Sequence, residues 1–458
     1  MTESYMDFIA QKKHVGSDSG INPVYMHDDA FDFQKKVAEY AIRKGRCAVF
    51  LDTGLGKTII QLIVAQNYLR HTNKPVLIIT PLAVAFQFVT EAEKFGIDDV
   101  SYSKDGSYKS KIVICNYERL DKFNADDFGC VLLDESSILK NFDGAIKAQV
   151  TAFLKRVRYR YLFTATPSPN DFIELGTSSE ALGYMGFMDM LKRFFANNEN
   201  NIRPQEIGNK WYLKPHAEDD FFSWVASWSI SMRKPSDLGF SDSRHVLPAL
   251  NIRRNLVTNQ NNWCIDGQYK MLGHVAKTMS EVREEQKMTI KERVEKAGEL
   301  AAGKTSVYWC NFNDEGDTLD AMDSEAVQIK GGMPLEKKED ILLAFARGEI
   351  KRLITKPKIT AFGLNWQHCN HTVYFPTFSY EQYYQAIRRF WRFGQANDVM
   401  VDLVISDGQQ RVVDALAAKR EKADRLFDKL NRAINKKIED KTRDFSQSVK
   451  LPTFMRGL

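Results

Sequence analysis

The 458 residues hold no paired cysteine motif and no apolar run of eighteen or more, and each absence removes a class of protein. The six cysteines (Cys47, Cys115, Cys130, Cys264, Cys310 and Cys369) are scattered without a CxxC, and four stand in or beside apolar, strand-like runs. They read as buried reduced thiols rather than a disulfide framework or a zinc site. His368-Cys-Asn-His371 has the look of half a ligand set, but without a second half it reads rather as a loop entering a strand. The lack of a long apolar run argues against a membrane-spanning helix, and Met1-Thr-Glu-Ser-Tyr-Met-Asp7 has no basic stretch leading into an apolar core. A soluble, intracellular, cytoplasmic protein without a membrane partner is expected. No cluster of acids with a lysine suggests a nuclease centre.

With 43% hydrophobic and 27% charged residues the composition is that of an ordinary globular protein. The length exceeds what one hydrophobic core fills, so two domains are expected. The net charge of +5 is unevenly spread: Arg411 to Leu458 carries 13 Lys and Arg against 7 Asp and Glu, and the remainder 51 against 52. The C-terminal excess can follow a phosphate backbone or form a solvated helix face.

Short apolar runs rich in β-branched and aromatic residues recur: Cys47–Leu51, Val76–Thr80, Ile112–Cys115, Val131–Leu133 and Tyr159–Phe163. They return as Val307–Cys310, Ala326–Ile329, Arg352–Thr355, Thr372–Phe375 and Val399–Ile405. Helix-patterned stretches fall between them, among them Thr58–Arg70, Ala83–Phe95, Leu335–Arg347 and Tyr380–Phe393. Continuous apolar strands alternating with helices predict parallel sheets covered on both faces. The fold class is therefore α/β, with two lobes, helical insertions between them and a C-terminal helix. The expected divisions are an N-terminal extension (1–30), a first lobe (31–180), insertions and linker (181–300), a second lobe (301–410) and a basic helix with tail (411–458). Trp211, Trp224, Trp228 and Trp263 in the insertions suit packing or base stacking. After Gln409, Leu416, Ala423, Leu426, Phe427, Leu430, Ile434 and Ile438 form one apolar stripe at helical spacing.

The chemistry begins at Leu51-Asp-Thr-Gly-Leu-Gly-Lys-Thr58. Glycines there let backbone N–H groups turn toward phosphate oxygens, and the following helix aims its positive end at the same place. Thr53, Gly54, Leu55, Gly56, Lys57 and Thr58 are the candidate nucleotide residues, with Lys57 on the β- and γ-phosphates and Thr58 on magnesium. Leu51 stands where the full motif has its first glycine. Val131-Leu-Leu-Asp-Glu-Ser-Ser137 ends a strand in two acids, Asp134 suited to magnesium and Glu135 to orienting and deprotonating a water. Thr164-Ala-Thr-Pro167 closes another strand. Its hydroxyls can couple to the acids through Ser136 or Ser137, or simply end a strand. Far downstream, Arg388, Arg389 and Arg392 lie on a helical pattern, as residues reaching a γ-phosphate or as surface residues beside Trp391.

These motifs, in this order, resemble superfamily-two helicases and within them the Swi/Snf-type double-stranded DNA translocases. The likeness runs from about Phe31 to Ile405. It rests on Asp52–Thr58, Thr80-Pro-Leu, Asp134-Glu-Ser-Ser-x-x-Leu-Lys-Asn141, Thr164–Pro167, Ala361-Phe-Gly-Leu-Asn-Trp366 and Gln385–Gln395. It implies two RecA-like lobes with ATP and Mg2+ between them. It also implies Gln34 reading adenine, Asp134 and Glu135 as the hydrolytic pair, and Gln385, Arg389 and Arg392 acting from the second lobe. Ser136, Thr164, Thr166, Gly363 and Asn365 would couple nucleotide state to DNA, and Pro81, Asn116, Lys356 and Lys358 would line the DNA backbone. The chain departs from the family pattern at Ser136-Ser137, at Arg388, where glycine or aspartate is frequent, and at Trp391, where histidine is usual. The compact length and Lys356-Pro-Lys-Ile359 resemble phage-encoded members, which would act in a bacterial or infected host cytoplasm.

The expectation is an ATP hydrolase working as a monomeric DNA helicase or translocase on duplex, forked or junction DNA, beside replication or recombination proteins. An RNA helicase and an ATP-switched binding subunit serving a nuclease or polymerase are the competing readings.

Overall fold

The computed structural model describes residues 16–140, 144–197, 211–257, 263–265, 268–270, 279–359 and 366–446. The chain forms two compact units. One takes in the chain up to Thr80, Phe88–Asp242 and the chain from Ala423; the other takes in Pro81–Gln87 and Ser243–Lys422.

In the first unit the order is α1 (Asp32–Lys44), β1 (Arg46–Leu51), α2 (Lys57–Thr72), β2 (Val76–Thr80), α3 (Leu82–Lys94), β3 (Val100–Tyr102), β4 (Ile112–Asn116), β5 (Cys130–Leu133), α4 (Ala145–Lys155) and β6 (Tyr159–Thr164). Every residue of β2, β4, β5 and β6 is buried, which is why these strands read as unbroken apolar runs rather than as alternation. There follow α5 (Leu175–Leu182), α6 (Phe187–Phe194), an antiparallel hairpin of β7 (Phe195–Asn197) and β8 (Trp211–Leu213), α7 (Glu218–Trp228) and β9 (Ser229–Met232). The sheet has seven strands in the order β3-β4-β2-β5-β6-β1-β9, all parallel. Trp224 and Trp228 are packed into its core against Phe194 and Phe50.

The second unit holds β10 (Leu250–Val257), a hairpin of β11 (Trp263–Ile265) and β12 (Gln268–Lys270), α8 (Met279–Met288), α9 (Ile290–Ala301), β13 (Ser306–Trp309), α10 (Asn313–Met322), β14 (Ala326–Gln328), α11 (Leu335–Ala346), β15 (Arg352–Thr355), β16 (His371–Tyr374), α12 (Tyr380–Ile387) and β17 (Val399–Ser406). Its six strands run parallel in the order β10-β17-β16-β13-β15-β14. The final helix, α13 (Gln410–Ser446), passes from this unit into the first. Both lobes are thus RecA-like α/β bodies. None of the described helices is long and apolar enough to cross a membrane.

Two elements differ from the sequence reading. The stretch read as insertions contains helices α6–α9 and also supplies β9 and β10; one is only four residues long and the other is an edge strand with polar residues along its length, so neither shows a long apolar run. The helical pattern over Tyr380–Phe393 stops at Ile387, so Arg388, Arg389 and Arg392 lie on a turn and not on a helix. Phe390 draws the chain inward there, and Gly394 takes a left-handed φ of 90° that ends regular structure.

Candidate nucleotide and nucleic-acid sites

Four neighbouring strands of the first sheet, β2, β5, β6 and β1, deliver their C-terminal ends side by side. Ligands of open α/β sheets bind at that edge. It carries Thr80, Asp134, Thr164 and the loop from Asp52 to Gly56.

The loop is shaped by its glycines. Gly54 and Gly56 have φ of 84° and 77°, and a Cβ on Gly56 would stand 2.2 Å from Gln34 Nε2. Gly56 precedes α2 without a side-chain cap, leaving that helix's first N–H groups for a ligand. Lys57 folds over the loop, its Nζ donating to the carbonyls of Leu51 (3.1 Å) and Asp52 (3.4 Å). Asp52 braces the turn by accepting the Thr53 amide at 2.6 Å. Buried Gln34 accepts from the Phe31 amide and donates to the Leu55 carbonyl at 3.1 Å, so this residue ties α1 to the phosphate loop. Thr58 is half-buried in the first turn of α2.

Asp134 is 6% exposed, and both its oxygens are held, one by Gln61 Nε2 (2.9 Å) and the other by Thr80 Oγ1 (3.2 Å). Burial pushes this carboxyl above the ordinary range, opposed by the Lys57 charge and by the two donors. A divalent cation would remove that penalty, and a carboxylate beside a hydroxyl is the hard-oxygen donor set magnesium takes. Tyr117 Oη donates to the Asp134 carbonyl at 2.5 Å. Glu135 follows in a left-handed conformation, φ 51°, unusual for a residue with a side chain and found where structure over-determines it. Thr164 Oγ1 accepts from the Thr166 amide at 3.0 Å, within its own turn. Among the described residues no hydrogen bond joins either threonine to Ser136 or Ser137, both of which are buried.

Sequence reasoning passed over Gln61 and the part played by Thr80. Gln61 was findable: it is wholly buried between Ile60 and Leu62, and a polar side chain in such a run requires a partner.

In the second lobe Lys356 Nζ donates to Asn313 Oδ1 at 2.7 Å. Both line a cavity of about 240 Å³ at the C-terminal ends of β13, β14 and β15, together with Lys330, Gly331 and Thr355. Lys358 is exposed beside it, whereas Asn116 of the first lobe is buried, its amide bonded to Glu118 and Tyr102. Pro81 directly follows β2. Gln385 lies on α12, and Arg389 and Arg392 on the turn after it. Gly363, Asn365 and Asn141 lie outside the described residues.

A parallel sheet whose C-terminal edge carries a phosphate loop beside a buried aspartate defines a P-loop nucleotide-binding protein, here with a second lobe of the same architecture. Residues 31–174 match the DEAD/DEAH box helicase family and residues 287–394 the helicase conserved C-terminal domain, together more than half of the chain. Among curated proteins, the chain is 27% identical over 161 residues to a SWI/SNF-related matrix-associated actin-dependent regulator of chromatin subfamily A-like protein 1 of Xenopus tropicalis, covering 33% of this chain and 17% of that one. It is 30% identical over 168 residues to the DNA annealing helicase and endonuclease ZRANB3 of Mus musculus, covering 33% and 16%. The match thus spans about a sixth of those relatives' length. A solved Sulfolobus solfataricus SWI2/SNF2 ATPase core in complex with dsDNA aligns over 90% of this chain and 95% of its own, with 16% identity and a TM-score of 0.41. The chain belongs to the helicases built from these two domains, and a third of it is similar to the SWI/SNF-related protein and the annealing helicase.

Proposed function

We propose that the protein hydrolyses ATP to drive movement along DNA, acting on duplex, forked or junction substrates in replication, recombination or repair, beside proteins of those processes. The observation that carries this reading is the alignment of the phosphate loop, Thr80, Asp134 and Thr164 on one edge of the first sheet. Lys57 and the N-terminus of α2 bind the phosphates, Gln34 reads the adenine, Thr58 and Asp134 hold the metal, and Glu135 orients and deprotonates water. Magnesium bound there supplies positive charge against the phosphate oxygens. Gln385, Arg389 and Arg392 serve the same nucleotide from the second lobe, and Ser136, Thr164, Thr166, Gly363 and Asn365 couple its state to the track. Lys356 and Lys358, beside a cavity with a second lysine, suit a phosphate backbone, as Pro81 is proposed to do on the first lobe, whereas Asn116 is buried and bonded to its neighbours. A relative named as a DNA annealing helicase supports DNA over RNA as the polymer.

Lys57→Ala is expected to lower DNA-stimulated kcat/KM for ATP by roughly 10²- to 10³-fold, the scale of losing one preorganised charged donor. DNA affinity in a fluorescence-anisotropy titration should be unchanged. Hydrolysis at the wild-type rate would overturn the assignment. Anisotropy titrations of fork, four-way junction and linear duplex across a salt series then separate substrates: phosphate contacts alone make affinity steeply salt-dependent but equal for all three.

A further inference from the structure

We infer that Arg388 and Trp391 form a clasp that positions the turn bearing Arg389 and Arg392, an inference that rests on the ATP-hydrolysing function proposed above. Arg388 is then a positioning residue and not a third arginine directed at phosphate.

The turn from Arg388 to Gln395 is closed locally by short-range backbone bonds, the Phe390 and Trp391 amides donating to the Ile387 carbonyl (3.1 and 3.0 Å) and the Gln395 amide to that of Arg392 (3.0 Å), and side chains anchor it to the rest of the lobe. On its inner side Phe390 is fully buried, with ring centroids 5.7 Å from Trp366 and 6.3 Å from Trp309. The Trp366 amide donates to the Arg389 carbonyl (3.1 Å), and Gln395 Nε2 to the carbonyls of Cys369 (3.1 Å) and Phe390 (3.3 Å). These contacts fix the inner side of the turn.

The outer side is held by Trp391. Its indole Nε1 donates to the Pro248 carbonyl at 2.7 Å, tying the turn to the segment that leads into β10. The Arg388 guanidinium lies 4.3 Å from the Trp391 ring centroid and 5.2 Å from that of Tyr384, and its Nη1 donates to the Trp391 carbonyl at 3.4 Å. A planar cation between two aromatic faces is held in orientation as well as position. Because Tyr384 is on α12 and Trp391 on the turn, Arg388 fastens the helix to the loop that leaves it. Two residues beyond Trp391, Phe393 stacks on His245 (4.9 Å, 26°), a second tie to the same segment. Arg389 and Arg392 thus flank a pair of adjacent aromatic anchors, Phe390 inward and Trp391 outward. Two of the positions at which this chain departs from its family's pattern, Arg388 and Trp391, are in contact with each other.

The test uses the full chain and the variants Arg388→Ala, Trp391→Ala, their double mutant, and two conservative ones. Trp391→Phe keeps a ring face but removes the donor to Pro248, and Arg388→Lys keeps the charge but not the planar fork. Steady-state ATP hydrolysis with saturating duplex DNA is measured together with amide hydrogen exchange over 388–395. Each alanine variant should lower kcat roughly 10- to 100-fold, the effect of misplacing a reacting group, while KM for ATP stays within about threefold. The double mutant should be no worse than the worse single one, since the two residues act as a unit. Trp391→Phe and Arg388→Lys should recover part of the loss, and exchange in 388–395 should quicken in the alanine variants. Wild-type kcat in both single variants, or losses that multiply in the double mutant, would overturn the clasp. If the wild-type protein hydrolyses no ATP, the proposed function fails and exchange alone decides: faster exchange in Arg388→Ala and Trp391→Ala supports the clasp, and unchanged exchange sinks it.

Discussion

His371 has Ser306 Oγ 2.6 Å from its Nδ1 and Asp402 Oδ2 2.9 Å from its Nε2, the residue types of a hydrolase triad in the wrong arrangement. In a working triad the serine meets Nε2 and the acid Nδ1. Here the ring is reversed, and all three side chains are buried. They form a polar ladder across β13, β16 and β17, extended onto β10 by Arg253, which donates to both Asp402 oxygens at 2.9 Å. Burial lowers the His371 pKa below its ordinary value; the Asp402 hydrogen bond opposes this, and the nearby charges of Lys304 and Arg253 add to it. Burial also works against the Asp402 carboxylate, yet hydrogen bonds from Arg253, His371 and Asn255 hold its pKa below the ordinary one. In the unfolded chain His371 takes up a proton first. Stability from this site is therefore intact above the ordinary histidine pKa of about 6.5 and falls as pH drops from there toward the folded value, while the Asp402 contribution is lost only at lower pH. His371→Gln should flatten the decline in urea midpoint between about pH 7.5 and pH 5.5. An equal decline in both proteins would show that other groups carry it.

Among elements, the helix ends of the first lobe show what pattern reading misses. Arg160 on β6 is 4% exposed, and among the described residues it has no carboxylate as a hydrogen-bond partner. Its Nε and Nη2 donate to the Leu182 carbonyl and its Nη1 to those of Leu154 and Val157, so a single guanidinium satisfies the C-terminal ends of α4 and α5. Burial, with help from Arg46, brings its pKa down to about 10, which still leaves it charged at neutral pH. Gly183 caps α5 with φ 79°, and a Cβ there would lie 1.9 Å from Arg160 Nη2. Gly183→Ala is expected to destabilise the protein by about 2–4 kcal/mol, the left-handed backbone and the displaced hydrogen bonds adding together, read as a lowered urea midpoint. The apolar strands themselves were legible because burial on both faces leaves a continuous signal. The end of α12 at Ile387 was not, since helical spacing continues through Arg392 and only contacts with Trp366, Trp309 and Pro248 pull the chain out of the helix.

On the scale of the whole molecule, α13 leaves the second unit and packs onto the core of the first through Leu426, Phe427 and Leu430. Arg233 binds Asp424 and Asp428 on it, and Ser231 binds Asn431. Several of its basic residues are engaged internally, among them Arg425 with Glu218 and Lys429 with Glu218 and Asp219, so part of the C-terminal positive charge answers acids on α7. Leu430→Ala, removing a fully buried side chain, should cost about 2–5 kcal/mol. The loss belongs to the first lobe and should appear as earlier exchange of amides in β1 and β9 and a lower unfolding midpoint.

The sequence by itself determined the two α/β lobes and the glycine turn that leads into α2. These are local signals: unbroken apolar runs report two-sided burial, and glycines at 54 and 56 report a backbone that takes left-handed φ values. Tertiary structure alone decided that Gln61 and Thr80 hold Asp134, that Arg160 closes two helix ends, and that Arg388 turns back onto Trp391 while its neighbours remain beside it. In each case the partner is distant in sequence or the choice lies between adjacent arginines, and a side chain's direction is set by what it packs against rather than by its place in a motif.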